Sequence, residues 1–252
     1  MKAVIPAAGH GTRFLPVTRA VPKEMLPVGA KPAVQLIVEE ALAAGAEEVV
    51  LVVSPEKELI RRYFEGDGVL APRIRWAVQT EQRGLGHAVL QAAPLLAGEK
   101  EPVLVLLGDA LVAGEPPSAA MAAISRANGG ASVVGLEEVP LERVSRYGIV
   151  KGDLCEGGDG RVYRLSDLVE KPAPDKAPSR LAIAGRYLLS PAIFGLLATQ
   201  VPGAGGEIQL TDSIRRLLAE APVFGYRYPG RRHDIGNPAG YLECLNGFAA
   251  AK

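Results

Sequence analysis

Cysteine is scarce in this chain. Its 252 residues hold two, Cys155 and Cys244, far apart and without a CxxC spacing. No disulfide framework or zinc site is expected, and a reducing cytoplasm fits. Histidine is almost as rare. His10, His87 and His233 are the three present, and no Ser/His/Asp or Cys/His set with a plausible pairing can be argued from them. His10 sits in a Gly-rich loop and could assist binding there; His87 and His233 read as positional. Excess charge is missing too: Lys+Arg and Asp+Glu are 28 each. Bulk nucleic-acid binding, which goes with a basic excess, is therefore not expected, although a local basic site is. No basic region followed by a long apolar run opens the sequence, so no signal peptide is expected. No stretch is long and apolar enough to span a bilayer, so no membrane partner is expected either. Internal repeats and low-complexity linkers are also lacking.

Two familiar phosphate loops are absent. A Walker loop needs Gly-Lys-Ser/Thr. A Rossmann dinucleotide loop needs a third Gly where Phe14 stands. It also needs an acid roughly 20 residues on, at a second strand end. The next apolar strand ends instead near Ser54.

What is present is apolar and ordered. Hydrophobic residues make up 48%, enough for a sizeable core and against disorder. The length suits one large α/β domain or two small ones. Ala3-Val4-Ile5, Val49 to Val53, Ile74 to Gln79 and Val103 to Leu107 read as strands. Helical patterns run from Pro32 to Gly45, Pro55 to Phe64 and Gly86 to Leu96. This alternation predicts βαβ units around a parallel sheet, with ligands at the carboxyl ends of the strands. The Gly9 loop, Gln79 and Asp109 all stand at such ends and should converge.

From about residue 130 the pattern is more mixed. Strands are expected over Ala131 to Val139, Tyr147 to Lys151, Arg161 to Val169, Leu181 to Leu189 and Phe224 to Tyr228, with a turn at Gly157-Gly158-Asp159-Gly160. Helices are expected after Pro191, over Ile208 to Ala219 and from Pro238. We read 1–252 as one domain, with 1–130 as a nucleotide-binding half. Residues 131–252 then extend the same sheet as a sugar-phosphate-binding half.

The first strand runs straight into Ala7-Ala8-Gly9-His10-Gly11-Thr12-Arg13. Small residues let backbone N–H groups approach an anion closely. Arg13 adds a fork of donors and Lys23 a point charge, and few acids stand near them in sequence, which suits a polyphosphate. Gln79 can donate to and accept from a pyrimidine edge, or be a surface amide beside a helix start. Asp109, at the end of a buried strand, is a helix N-cap or a metal ligand, and Ala110 to Gly114 is a poor helix start. Asp234 is a second candidate acid. Glu170-Lys171 could be an ordinary exposed pair.

These stretches together resemble the sugar-1-phosphate nucleotidyltransferases. The resemblance rests on Gly9-x-Gly11-Thr12-Arg13-Phe14-Leu15-Pro16, Pro22-Lys23-Glu24-Met25-Leu26-Pro27, Gln79 with Gly84-Leu85-Gly86, Tyr147-Gly148, Glu170-Lys171-Pro172, Ala184-Gly185-Arg186-Tyr187, Gly206-Glu207 and His233-Asp234-x-Gly236-Asn237. It spans residues 2 to about 248 and is closest to the bacterial uridylyltransferases. It implies a Rossmann-like three-layer α/β/α fold with a mixed, mainly parallel sheet. The reaction it implies is transfer of uridylyl from UTP to glucose 1-phosphate, giving UDP-glucose and pyrophosphate, with Mg²⁺. By the same resemblance Arg13, Lys23 and Lys171 are catalytic. Ala7, Ala8, Gly9, Gly11, Thr12, Glu24, Gln79 and Gly84 hold the nucleotide. Gly148, Glu170, Gly185 and Glu207 hold the sugar, and Asp109 and Asp234 hold the metal. A homo-oligomer, a dimer or tetramer, is also implied. Ala110 departs from the acid or valine often found there. The stretch from Phe64 to Arg73 and the C-terminus are short, which bears on oligomer contacts. The alternatives are the same chemistry with dTTP or another sugar 1-phosphate, or a non-catalytic sugar-nucleotide-binding regulator.

Overall fold

A computed structural model describes residues 1–156 and 159–250. The Gly157-Gly158 part of the expected turn lies outside the described residues. The first half contains β1 (Lys2–Pro6), the short hairpin β2 (Pro27–Val28) and β3 (Lys31–Pro32), α1 (Ala33–Ala43), β4 (Glu48–Val53), α2 (Glu58–Glu65), β5 (Ile74–Val78), α3 (Leu85–Leu90), β6 (Val103–Leu106), β7 (Ala110–Ala113) and α4 (Ser118–Ala127). Then come β8 (Ser132–Glu138), β9 (Gly148–Leu154), β10 (Val162–Glu170), β11 (Leu181–Leu189), α5 (Ala192–Ala198), α6 (Leu210–Leu217), β12 (Val223–Arg227), β13 (Arg231–Asp234) and α7 (Pro238–Ala250).

The near-continuous apolar runs of β1, β4 and β6 are explained by burial on both faces. Successive strand residues point to opposite sides. Ala3, Ile5, Val49 and Leu51 join one core cluster with residues of α1 and α2. Val4, Val50 and Val52 join another with residues of α3, α5 and α6. Each such buried Val, Leu or Ile contributes about 1.5–3 kcal/mol.

The main sheet runs β5-β4-β1-β6-β11-β8-β12-β10-β9. Its first four strands are parallel, and β11 joins them antiparallel to β6. The second half thus extends the same sheet. The expectation of a mainly parallel sheet needs correction. The four parallel pairings are outnumbered by five antiparallel ones. Only β9 and β10 among them are consecutive in the chain; the other four antiparallel pairings bring together strands distant in sequence. β9 also meets β11 at Ile149 and Ala182, which closes β11-β8-β12-β10-β9 into a partial barrel. No helix among the described residues is long and apolar enough to cross a membrane.

A separate two-stranded sheet positions the acids. β7 and β13 pair antiparallel with Ala110 opposite Asp234, so Asp109 and Asp234 arrive side by side at one end of the ladder.

Candidate active site

The loops after β1, β5 and β6 open into a cleft of about 450 Å³ that the second half closes from the other side. The phosphate loop is anchored rather than free. Ala7 N donates to Val52 O at 2.7 Å, and Ala7 O accepts from Lys57 Nζ at 2.7 Å. Lys57 also donates to Glu24 Oε2 at 2.7 Å. Glu24 Oε1 stands 4.0 Å from Lys23 Nζ, and Lys23 reaches Asp109 Oδ2 at 2.6 Å. Four charges of alternating sign therefore run from beneath the loop into the cleft. Burial pushes the Lys57 ammonium down and the Glu24 carboxyl up. Burial opposes the charge on Asp109 most strongly of any single cause, but the adjacent Lys23 ammonium together with Arg13 and Arg232 outweighs it and holds the carboxyl below its ordinary value. Lys23 moves the other way: desolvation works against its charge, and Asp109 with Glu24 raises it above ordinary. Acids near in space thus balance the cations, although few are near in sequence.

Asp234 lies 3.9 Å from Arg13 Nη1, and its Oδ1 accepts from Gly236 N at 2.8 Å. Ile235 N donates to Asp109 O at 2.9 Å. A Cβ on Gly236 would stand 2.8 Å from Asp234 Oδ1 and 2.9 Å from Asp109 Oδ2. The two carboxylates therefore converge over a glycine that leaves their common space open. Beneath them Arg186, fully buried, donates to both oxygens of Glu40 and to Ala110 O at 2.8 Å, which braces the β6–β7 turn.

On one wall of the cleft, Gln79 follows β5 and is 2% exposed. Gly84 has φ +100, and a Cβ there would be 2.8 Å from Ile208 O. The glycine pair accordingly admits the backbone of 207–208, a packing role beside the nucleotide contact that the resemblance implies for Gly84. Elsewhere on the cleft wall Glu170 ends β10 and Lys171 has φ 47. A non-glycine residue in this region is uncommon, and such strain concentrates at functional positions. Its N–H donates to Tyr147 O at 2.9 Å, which holds the strained turn, and its Nζ is 3.4 Å from Glu170 Oε1. Arg232 stacks over Tyr147 at 5.0 Å and bonds Glu137 at 2.7 Å.

All the expected site residues except Ala7, Gly11 and Thr12 line this one cleft. Ala7 lies behind the loop, holding Lys57, while Gly11 and exposed Thr12 begin the turn that carries Arg13. Sequence reasoning missed Lys57, whose position reads as an ordinary helix start. It also missed Arg186 and Arg232 as site supports, although both stand inside or beside the quoted motifs.

The donor set fits Mg²⁺. Among the described residues no group of three or more His, Cys, Asp or Glu could hold a metal ion. Mg²⁺ ordinarily takes one or two carboxylates and completes its shell with phosphate oxygens and water. A convergent carboxylate pair at a phosphate-type loop meets that requirement.

The family described as Nucleotidyl transferase matches residues 2–250. The chain is 43% identical to the UTP--glucose-1-phosphate uridylyltransferase of Staphylococcus haemolyticus, covering 98% of this chain and 92% of that one. To the corresponding protein of Staphylococcus epidermidis it is 41% identical, with the same coverage of 98% and 92%. Among solved structures, a UDP-glucose pyrophosphorylase complexed with UDP-glucose superposes with TM-score 0.88 at 38% identity, covering 100% and 99% of the two chains. A UTP-bound UGPase from Acinetobacter baumannii gives TM-score 0.83 at 34% identity, covering 100% and 94%. Matched along nearly its whole length by sequence and by fold, the chain belongs to the nucleotidyl transferase family.

Proposed function

We propose that this chain transfers a uridylyl group from UTP to glucose 1-phosphate, giving UDP-glucose and pyrophosphate. The observation that carries the reading is the convergence of separated stretches, from Ala8 to Asp234, on one cleft, in a chain whose relatives bear that activity in their names. An oxygen of the sugar phosphate attacks the α-phosphorus of UTP in line. The new P–O bond forms as the α–β bridge breaks, and pyrophosphate leaves with the electron pair. The nucleophile is already an anion, so no general base is required, and catalysis is mainly positioning and charge neutralisation.

In this reading 1–130 holds the nucleotide and 131–252 the sugar phosphate, within one domain of Rossmann-like three-layer type. Ala8, Gly9 and Gly84 lie along the nucleotide and Gln79 reads the base. Arg13 and Lys23 neutralise the triphosphate, with Glu24 fixing Lys23. Lys171 holds the attacking phosphate. Glu170 and Glu207 accept sugar hydroxyls beside Gly148 and Gly185. Mg²⁺ would be held by Asp109 and Asp234 and would supply charge neutralisation at the phosphates. A dimer or tetramer in the cytoplasm belongs to the same proposal; exposed Val69, Val201 and Leu242 are apolar side chains available for subunit contact.

Pyrophosphate release over a grid of four NTPs and several sugar 1-phosphates tests the proposal. UTP with glucose 1-phosphate should give the highest kcat/KM. A preference for dTTP or another sugar would reassign the substrates, and no release with any pair would leave only a binding role.

A further inference from the structure

The cleft wall carries a polar relay that the mechanism does not use. His87 lies near the start of α3, and its Nδ1 is 3.0 Å from Gln79 Nε2. The same amide nitrogen is 3.4 Å from Gly84 O. A carbonyl oxygen only accepts, so the nitrogen of the Gln79 carboxamide faces the wall. Gln79 lines the cleft, and both of these contacts engage its Nε2, which leaves Oε1 as the atom available to the cleft.

The far side of the ring decides the tautomer. His87 Nε2 is 3.1 Å from Gln91 Nε2, which also lies 3.1 Å from His87 O. A neutral imidazole offers one lone pair, and two amide nitrogens face the ring. Gln91 is half-buried and has both the His87 carbonyl and solvent as alternatives. Gln79 is 2% exposed and otherwise has only the longer contact to Gly84. The lone pair therefore belongs on Nδ1, serving Gln79, and the ring proton sits on Nε2. Gln91 meets that proton by turning its amide oxygen inward or gives it up to water.

We propose that His87 is a positioning residue for base selection. It locks the Gln79 carboxamide with its nitrogen in the wall and its oxygen toward the nucleobase. An oxygen there accepts the N3–H of a uracil or thymine ring. Cytosine presents a bare N3 acceptor, so two lone pairs would meet and the base is rejected. Without His87 the amide can turn over and offer its NH₂ to cytosine. The inference rests on the reading of Gln79 as the residue that contacts the base.

His87→Phe keeps a ring and removes both nitrogens. A misplaced buried hydrogen bond costs enough to lower the UTP-over-CTP ratio of kcat/KM about tenfold or more. The KM for UTP should rise while kcat at saturation stays close to wild type. The same substitution is then made in a Gln79→Ala background, where it should change the ratio no further. His87→Leu, with less bulk, is read in the same way should the Phe variant fold poorly. An unchanged ratio in a folded His87 variant, with Gln79→Ala lowering it, overturns the inference and leaves the role of Gln79 standing. An equal fall in both backgrounds also overturns it, since His87 would act through some other group. If Gln79→Ala itself leaves the ratio untouched, both the inference and the reading beneath it fail.

Discussion

Lys57→Met should destabilise this protein far more than a charge at a helix start ordinarily does. Lys57 is 7% exposed and its neighbour Glu24 1%. Its ammonium donates to Glu24 Oε2 and to Ala7 O, each at 2.7 Å. Methionine matches the stem but cannot donate. Glu24 then keeps only Lys23, 4.0 Å away and already committed to Asp109 at 2.6 Å. Removing one partner of a buried ion pair costs about 3–5 kcal/mol, and the orphaned Ala7 carbonyl adds within that range rather than on top of it. Against a total stability of about 5–15 kcal/mol, this is a large share. For a chain of this size each kcal/mol moves the melting point by about 2–4 °C, so a fall of roughly 6–20 °C is expected. Urea and thermal unfolding followed by circular dichroism measure it. Turnover should fall as well, because Lys23 is drawn toward the unpaired Glu24 and away from the phosphates. Glu24→Gln combined with Lys57→Met removes both charges and should recover part of the lost stability. A single variant within about 1 kcal/mol of wild type, below the lower bound for breaking a buried pair, would refute the reasoning.

Three further outcomes follow from the same geometry. Asp109→Asn should fold and lose most of its turnover at ordinary Mg²⁺, since one of two convergent carboxylates is gone; steady-state rates over a Mg²⁺ series check this. Cys244 is buried, which lifts its thiol from 9.0 to about 11. The native protein should therefore resist thiol reagents at Cys244 while half-buried Cys155 reacts, as peptide mapping after alkylation would show. The unfolded thiol ionises first, so this group makes the fold lose stability as pH rises from 9.0 toward about 11, and denaturant midpoints across that interval should fall less in Cys244→Ala.

The strands of the first half were legible because doubly buried parallel strands leave continuous apolar runs, as in Val49 to Val53. Leu181 to Leu189 was equally plain and matches β11. The acids at 109 and 234 were paired by the resemblance, but no local pattern in the sequence brings them together. Their meeting depends on the β7–β13 ladder, and neither Ala110–Ala113 nor Arg231–Asp234 carries a periodic signal of its own. The balance of antiparallel pairing was hidden for the same reason: strand partners far apart in sequence are set by tertiary closure, not by local pattern. Lys57 was invisible because a lysine before a helix is ordinary until Glu24 is known to be buried beside it.

The proposed function depends most directly on a division of the cleft into a nucleotide side and a sugar-phosphate side. Calorimetric titration of UTP and of glucose 1-phosphate, each into folded Gln79→Ala and Lys171→Ala, measures that division. Gln79→Ala should weaken UTP and spare glucose 1-phosphate. Lys171→Ala should weaken glucose 1-phosphate, spare UTP and lose about 10²–10³ in turnover. Loss of UTP binding with retained glucose 1-phosphate binding in Lys171→Ala would contradict it.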